Sequence, residues 1–165
     1  MLISRLILIL LYVFSSLCFA SNQVVYFEPK EATLTGVVTI LTFPGPPNYQ
    51  SIKGGDKAES GPYLVLTKPI NIDVVPGVKA SINAKPIKDV QVLQLVVLND
   101  KNWKEIKKGN VVQITGTLSA SITGHHHARA LLDVKSVKVL SKEDIKNNSM
   151  KVTVEDKALL KSQNN

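Results

Sequence analysis

Val111-Val-Gln-Ile-Thr-Gly-Thr-Leu-Ser-Ala-Ser121 decides the fold, because it carries the cleanest two-residue period in the chain. Val112, Ile114, Leu118 and Ala120 fall on one side and Gln113, Thr115, Thr117 and Ser119 on the other, the alternation of a strand with one buried face. Gly116 stands where an inward side chain is expected, which marks a bend or the close approach of another backbone. Such a strand needs neighbours to bury its apolar face, and the sequence on either side supplies them.

Downstream, Ala130 to Leu140 reads as the last strand, with a change of phase around Ser136. Upstream, Asn99 to Lys108 is the one helical segment of the domain, with Asn102 as a cap for Glu105, Trp103 and Ile106 on one face, and Gly109 as the stop. Val90 to Leu98 is a strand in which Val90 and Val92 point one way and Leu93, Leu95 and Val97 the other, reconciled by a bulge near Val92. Ala32 to Phe43 is a β-branched run with a bend at Gly36. Phe43-Pro-Gly-Pro-Pro-Asn-Tyr49 then stops regular structure, and the loop is expected to run through Gly54-Gly55-Asp56 to Gly61-Pro62. Tyr63 to Thr67 and Ile70 to Val74 are two short β runs, Pro76-Gly77 is a turn, and the alternation of Val78, Ala80 and Ile82 suggests a further hairpin.

These elements make an all-β domain with one short helix. A helix placed before the fourth of five strands fits a small barrel of the oligonucleotide/oligosaccharide-binding (OB) type, and Gly36 and Gly116 suit strands that curl to close it. A β-sandwich is the alternative, since periodicity does not distinguish closure from stacking.

Residues 1–20 read as an export signal: Met1-Leu-Ile-Ser-Arg5 gives a positive start, Leu6 to Phe14 is unbroken apolar sequence, and Cys18-Phe-Ala20 ends in small residues. Residues 21–140 form the single OB-like domain, and residues 141–165 a polar, flexible tail. The expected location is the periplasm or outside the cell. Cys18 is the only cysteine, so the domain has no disulfide and no thiolate ligand, and Leu17 before it argues against lipidation. The chain has 20 basic and 13 acidic residues and a net charge of +7, which favours anionic surfaces, although its lysines are scattered.

Two segments could carry function. His125-His126-His127, flanked by Arg129, holds every histidine of the chain. On an extended backbone His125 and His127 share a face while His126 points away, so a zinc or copper site would pair those two with a carboxylate from Asp56, Glu59 or Asp133. The plainer reading has these histidines packing at the barrel rim. The second segment is the loop with Phe43, Pro46, Pro47, Asn48, Tyr49 and Asp56, whose prolines and aromatics offer a stiff surface for a ligand, or a lid over the barrel end. Nucleophile elbows, phosphate-binding glycine loops and paired metalloprotease histidines are absent. Nucleic acid is a poor partner, because few aromatics are available as stacking platforms.

Phe43-Pro-Gly-Pro-Pro-Asn-Tyr49 with Gly55-Asp56, then Thr115-Gly-Thr-Leu118, Thr123-Gly-His-His-His127 and Leu131-Leu132, together with Tyr26-Phe-Glu-Pro29, resemble the uncharacterised bacterial domain of unknown function 4431. The resemblance spans about Tyr26 to Leu140. It implies an exported bacterial domain in which the proline loop and the histidine run form one recurrent surface, and it brings no catalytic residue. Cysteine is common within that family, and this domain lacks it. The expected function is a non-catalytic binding module for a protein or an envelope glycan, using residues 43–56 and 125–127. The alternative is a metal-binding protein or metal-dependent enzyme. Peripheral contact of the basic tail with an anionic membrane is a further expectation.

Overall fold

In the computed structural model, which describes residues 22–79, 84–140 and 161, the stretch at the centre of the sequence reading is a strand, Val111–Ala120, with strictly alternating burial. Numbered in chain order, the strands are β1 (Gln23–Tyr26), β2 (Glu31–Pro44), β3 (Ala58–Asp73), β4 (Ile87–Val96), β5 (Val111–Ala120) and β6 (Ala130–Val139), with helix α1 (Asp100–Glu105) between β4 and β5. The sheet order is β1-β3-β2-β5-β6-β4, and pairing of β3 with β4 closes it into a five-stranded barrel with β1 added outside the ring. Of the pairings between these strands, β4–β6 and β1–β3 are parallel and the rest antiparallel. Closure, strand order and the helix before the fourth barrel strand are those of the OB-like barrel, and the sandwich alternative is set aside.

The interior is apolar. Leu34 and Val38 from β2, Leu64, Leu66, Ile70 and Ile72 from β3, Val90, Leu93 and Leu95 from β4, Val112, Ile114 and Leu118 from β5, and Leu132 from β6 pack into one cluster. Both glycines that the periodicity singled out lie where strands pass closest. A Cβ on Gly116 would collide with the carbonyl of Asp133, and one on Gly36 with the carbonyl of Val65. The phase change in β6 is a one-residue bulge, with Thr115 opposite Ser136 and Gly116 opposite Val134, so Lys135 is the extra residue.

Several expectations are corrected. The two short runs after Pro62 are one strand that begins already at Ala58, so the proline loop shortens to residues 45–57. Pro62 is tolerated because β3 there has a neighbour only on the β2 side; pairing with β4 starts at Tyr63. In β4, Val90 faces the interior and Val92 the outer cluster, so the two do not share a side; the irregularity expected near Val92 falls at Gln91, opposite residues 66–69 of β3, and the buried Gln91 side chain donates to the Leu66 carbonyl. The helix is capped by Asn99, whose side chain accepts from the Lys101 amide. Asn102 is instead buried and donates to the Lys135 carbonyl at the bulge, while Trp103 faces solvent. Val78 follows the Pro76-Gly77 turn without strand structure, and Ala80 to Asn83, completing the suggested hairpin, lie outside the described residues. So do the export signal of residues 1–20 and the tail of 141–165 except Lys161.

Candidate functional site

On the outer wall of the barrel a second apolar cluster forms from Leu41, Phe43, Tyr63, Val65, Val92 and Ala128. It exists because β2, β3 and β4 carry apolar residues on both faces here, and the two long connections fold over it. His127 stacks on Phe43 with ring centroids 4.3 Å apart and planes 13° from parallel, and Phe43 tilts against Tyr63 at 5.8 Å. Above this floor opens a cleft of about 420 Å³, lined by Ala58, Glu59, Ser60, Gly61, Tyr63, Gln94, His125 and His127.

The two connections meet across that cleft. His125 Nδ1 lies 2.9 Å from both oxygens of Glu59, and its Nε2 lies 3.0 Å from the Tyr49 hydroxyl. An ionised carboxylate has only acceptors, so Nδ1–H donates to Glu59, while the Tyr49 hydroxyl, which can donate or accept, completes the bond at Nε2. The Tyr49 ring meets the His125 ring edge-on at 5.3 Å and covers Gly124, where a Cβ would stand 3.2 Å from the ring. Tyr49 holds a left-handed backbone, φ 57°, which orients its side chain towards the histidine loop. Glu59 in turn folds over Gly45, where a Cβ would stand 2.7 Å from the Glu59 carboxyl carbon.

Each loop has its own internal brace. In the proline loop Asp56, buried, accepts from the backbone amides of Asn48 at 2.9 Å, Gln50 at 2.8 Å and Ser51 at 2.9 Å and from the Asn48 side chain at 3.1 Å. Those bonds, with Ser51 and Gln50 foremost, hold its carboxyl below the ordinary value of 3.8. In the histidine loop His126 turns away from the cleft and accepts at Nδ1 from the amides of Ile122, at 3.0 Å, and Thr123, at 3.3 Å. Gln94 on β4 then clamps the loop to the barrel, donating to the His125 carbonyl and accepting from the His127 amide, both at 2.9 Å. His127 Nε2 is buried without a hydrogen-bond partner, 3.9 Å from Glu59. Burial lowers its pKa from the usual 6.5, against the opposing pull of Glu59, so the ring is neutral at neutral pH. Burial, and secondly the charge of Glu59, pushes the Tyr63 phenol upward, so it stays protonated.

The residues singled out from sequence therefore divide. His125, His127, Tyr49 and Glu59 converge, with Phe43 beneath them. Asp56 and Asn48 brace their own loop, Pro46 accepts from the Lys57 amide, and exposed Pro47 does not line the cleft. Arg129 donates to the carbonyls of Lys88 at 3.0 Å and Asp89 at 2.7 Å, tying the end of the histidine loop to β4 rather than facing the cleft. Asp133 accepts from Ser119, away from the histidines. Gln94, Tyr63, Ser60 and Gly45 were not foreseen. Gln94 alone leaves a trace in the sequence, as the polar residue that interrupts Val92-Leu-Gln-Leu95.

The molecule is thus a small closed β-barrel with a polar cleft on its β3–β4 wall, roofed by the connections β2–β3 and β5–β6. Residues 92–138, from β4 through α1 and β5 into β6, match the family model of a domain of unknown function, DUF4431. The match includes Gln94 and the three histidines and leaves out the proline loop and Glu59. No curated protein matches the chain.

Proposed function

We propose that this protein is an exported, non-catalytic binding module that holds an envelope glycan in the cleft between residues 43–61 and the histidine loop. The observation that carries the reading is the alignment of Tyr49 and Glu59 with His125, from which they are 76 and 66 residues distant in sequence, beside Gln94 and above an aromatic floor. Carboxylate, imidazole and amide groups fixed in place match sugar hydroxyls, which both donate and accept. Barrels of this architecture use this wall and these two loops for oligosaccharides and oligonucleotides, an analogy of fold alone. Glu59 weighs against the second of those ligands, because its charge in the cleft opposes phosphate. A small polar cleft also suits a sugar better than a protein, which would need an apolar anchor in its core.

Among the described residues no three His, Cys, Asp or Glu side chains form a group that could hold a metal ion. Export rests on the sequence of residues 1–20. The test is retention of the protein on insoluble cell-envelope material before and after exhaustive protease treatment. Binding that survives protease and falls at least tenfold in Glu59→Gln and Gln94→Ala supports a glycan. Binding abolished by protease assigns the cleft to a protein partner and overturns the reading.

A further inference from the structure

Several large apolar side chains of the described residues are partly exposed, Ile122 and Val24 among them, and Leu98 at the β4–α1 junction is the most exposed of all. Leu98 is 90 % exposed, and Trp103 is 45 % exposed. The Trp103 indole N–H donates to the carbonyl of Val97 at 3.0 Å, which sets the ring beside the backbone that leads from β4 into Leu98. Asn102 and Ile106 point into the protein, so the other side of α1 and the turn after it face solvent. That side carries Lys101, Lys104, Lys107 and Lys108, all exposed, against Asp100 and Glu105.

We propose that this face, residues 98–108, is where the protein rests on an anionic lipid bilayer. Charge complementarity selects the occupant: four lysines in eleven residues, on a chain of net charge +7, meet a negatively charged headgroup layer. The apolar groups fit the same surface. Leu98 protrudes, so it gains by entering an apolar phase. Trp103 has already satisfied its only donor and carries no unmet polar group into the interface, where tryptophan is favoured. The lysine stems extend over the same boundary with their ammonium groups in the headgroup region. This contact is independent of the cleft.

Trp103 is the only tryptophan of the chain, so its fluorescence reports this face alone. Full-length protein is mixed at low salt with vesicles of phosphatidylglycerol and phosphatidylcholine, with and without bromine on the acyl chains. The expected result is a blue shift and bromine quenching that disappear at high salt and do not occur with phosphatidylcholine alone. Leu98→Ser reduces the quenching, and Lys104→Glu with Lys107→Glu weakens partitioning about 30-fold or more, roughly fivefold for each lysine lost. Both sets of positions are exposed, so far-UV circular dichroism should match the parent. Vesicle attachment that leaves Trp103 emission unmoved overturns the proposal, because another segment then makes the contact. So does a shift induced equally by soluble polyglutamate without bromine quenching, which assigns the face to an acidic protein.

Discussion

The barrel interior and the outer cleft are built on opposite principles from the same strands. Inside, Ile114, Leu118 and Leu132 fill space with side chains that make no hydrogen bonds, so stability follows volume. Outside, a smaller apolar floor is covered by polar groups whose positions are fixed by bonds: Gln94 to the backbone of His125 and His127, Asp56 to three amides, Glu59 to His125. The interior specifies the fold and is indifferent to charge. The cleft specifies a geometry, and should fail by losing alignment while the barrel stays folded.

The largest effect expected from that contrast is Leu118→Ala, which leaves a cavity against fully buried neighbours and should cost about 2–5 kcal/mol in denaturant unfolding. If folded protein then also loses cleft binding at low temperature, the two regions are not separable as described. Gln94→Leu should cost less, about 1–3 kcal/mol, because the His127 amide and the His125 carbonyl lose their partner. Its signature is local: amide exchange quickens at His127 while Val112 and Ile114 keep their protection.

Acid sharpens the comparison next. His127 has its folded pKa below 6.5, so between those values the unfolded chain binds more protons, and stability is lost as pH falls through 6.5 towards the folded value. Asp56 acts lower: its contribution is present above 3.8 and is lost as pH drops through its depressed folded value. His127→Phe, which keeps a ring on Phe43, should flatten the first decline and leave the second. An unchanged profile in urea titrations across that range would mean that His127 is not held neutral by burial. The smallest effect on stability belongs to Gly45→Ala, about 1 kcal/mol, because the intruding methyl pushes aside the Glu59 side chain and breaks its bond to His125 but leaves the barrel interior untouched. Binding to envelope glycan should drop by more than that loss of stability accounts for.

How much of this the chain discloses in one dimension follows the same divide. The interior was legible because burial in a strand repeats every second residue, and Gly36 and Gly116 could be recognised as gaps in that repeat. Legibility failed where backbone pairing, not side-chain pattern, sets the element. Ala58-Glu-Ser-Gly-Pro62 reads as a loop, yet β2 pairs with it residue by residue. The cleft was half legible. His125 and His127 reach the cleft with His126 turned away, as an extended backbone would place them, yet the three lie in the turn between β5 and β6, where His126 is held by the amides of Ile122 and Thr123; and the choice of Glu59 over Asp56 depends on Asp56 being occupied by its own loop. Arg129 reads as a surface cation beside the histidines, and only the path of β4 shows that it is tied to two carbonyls.

The central claim is that two distant connections form one clasped glycan site. Its most direct test is a titration of the isotope-labelled protein with lysozyme-released cell-wall glycan fragments, followed by amide chemical shifts. The account predicts saturable shifts confined to residues 45–61, Gln94 and 123–128, with the Leu98 to Lys108 face silent. Fragments that leave these amides unmoved, or that shift residues elsewhere on the barrel, would contradict it.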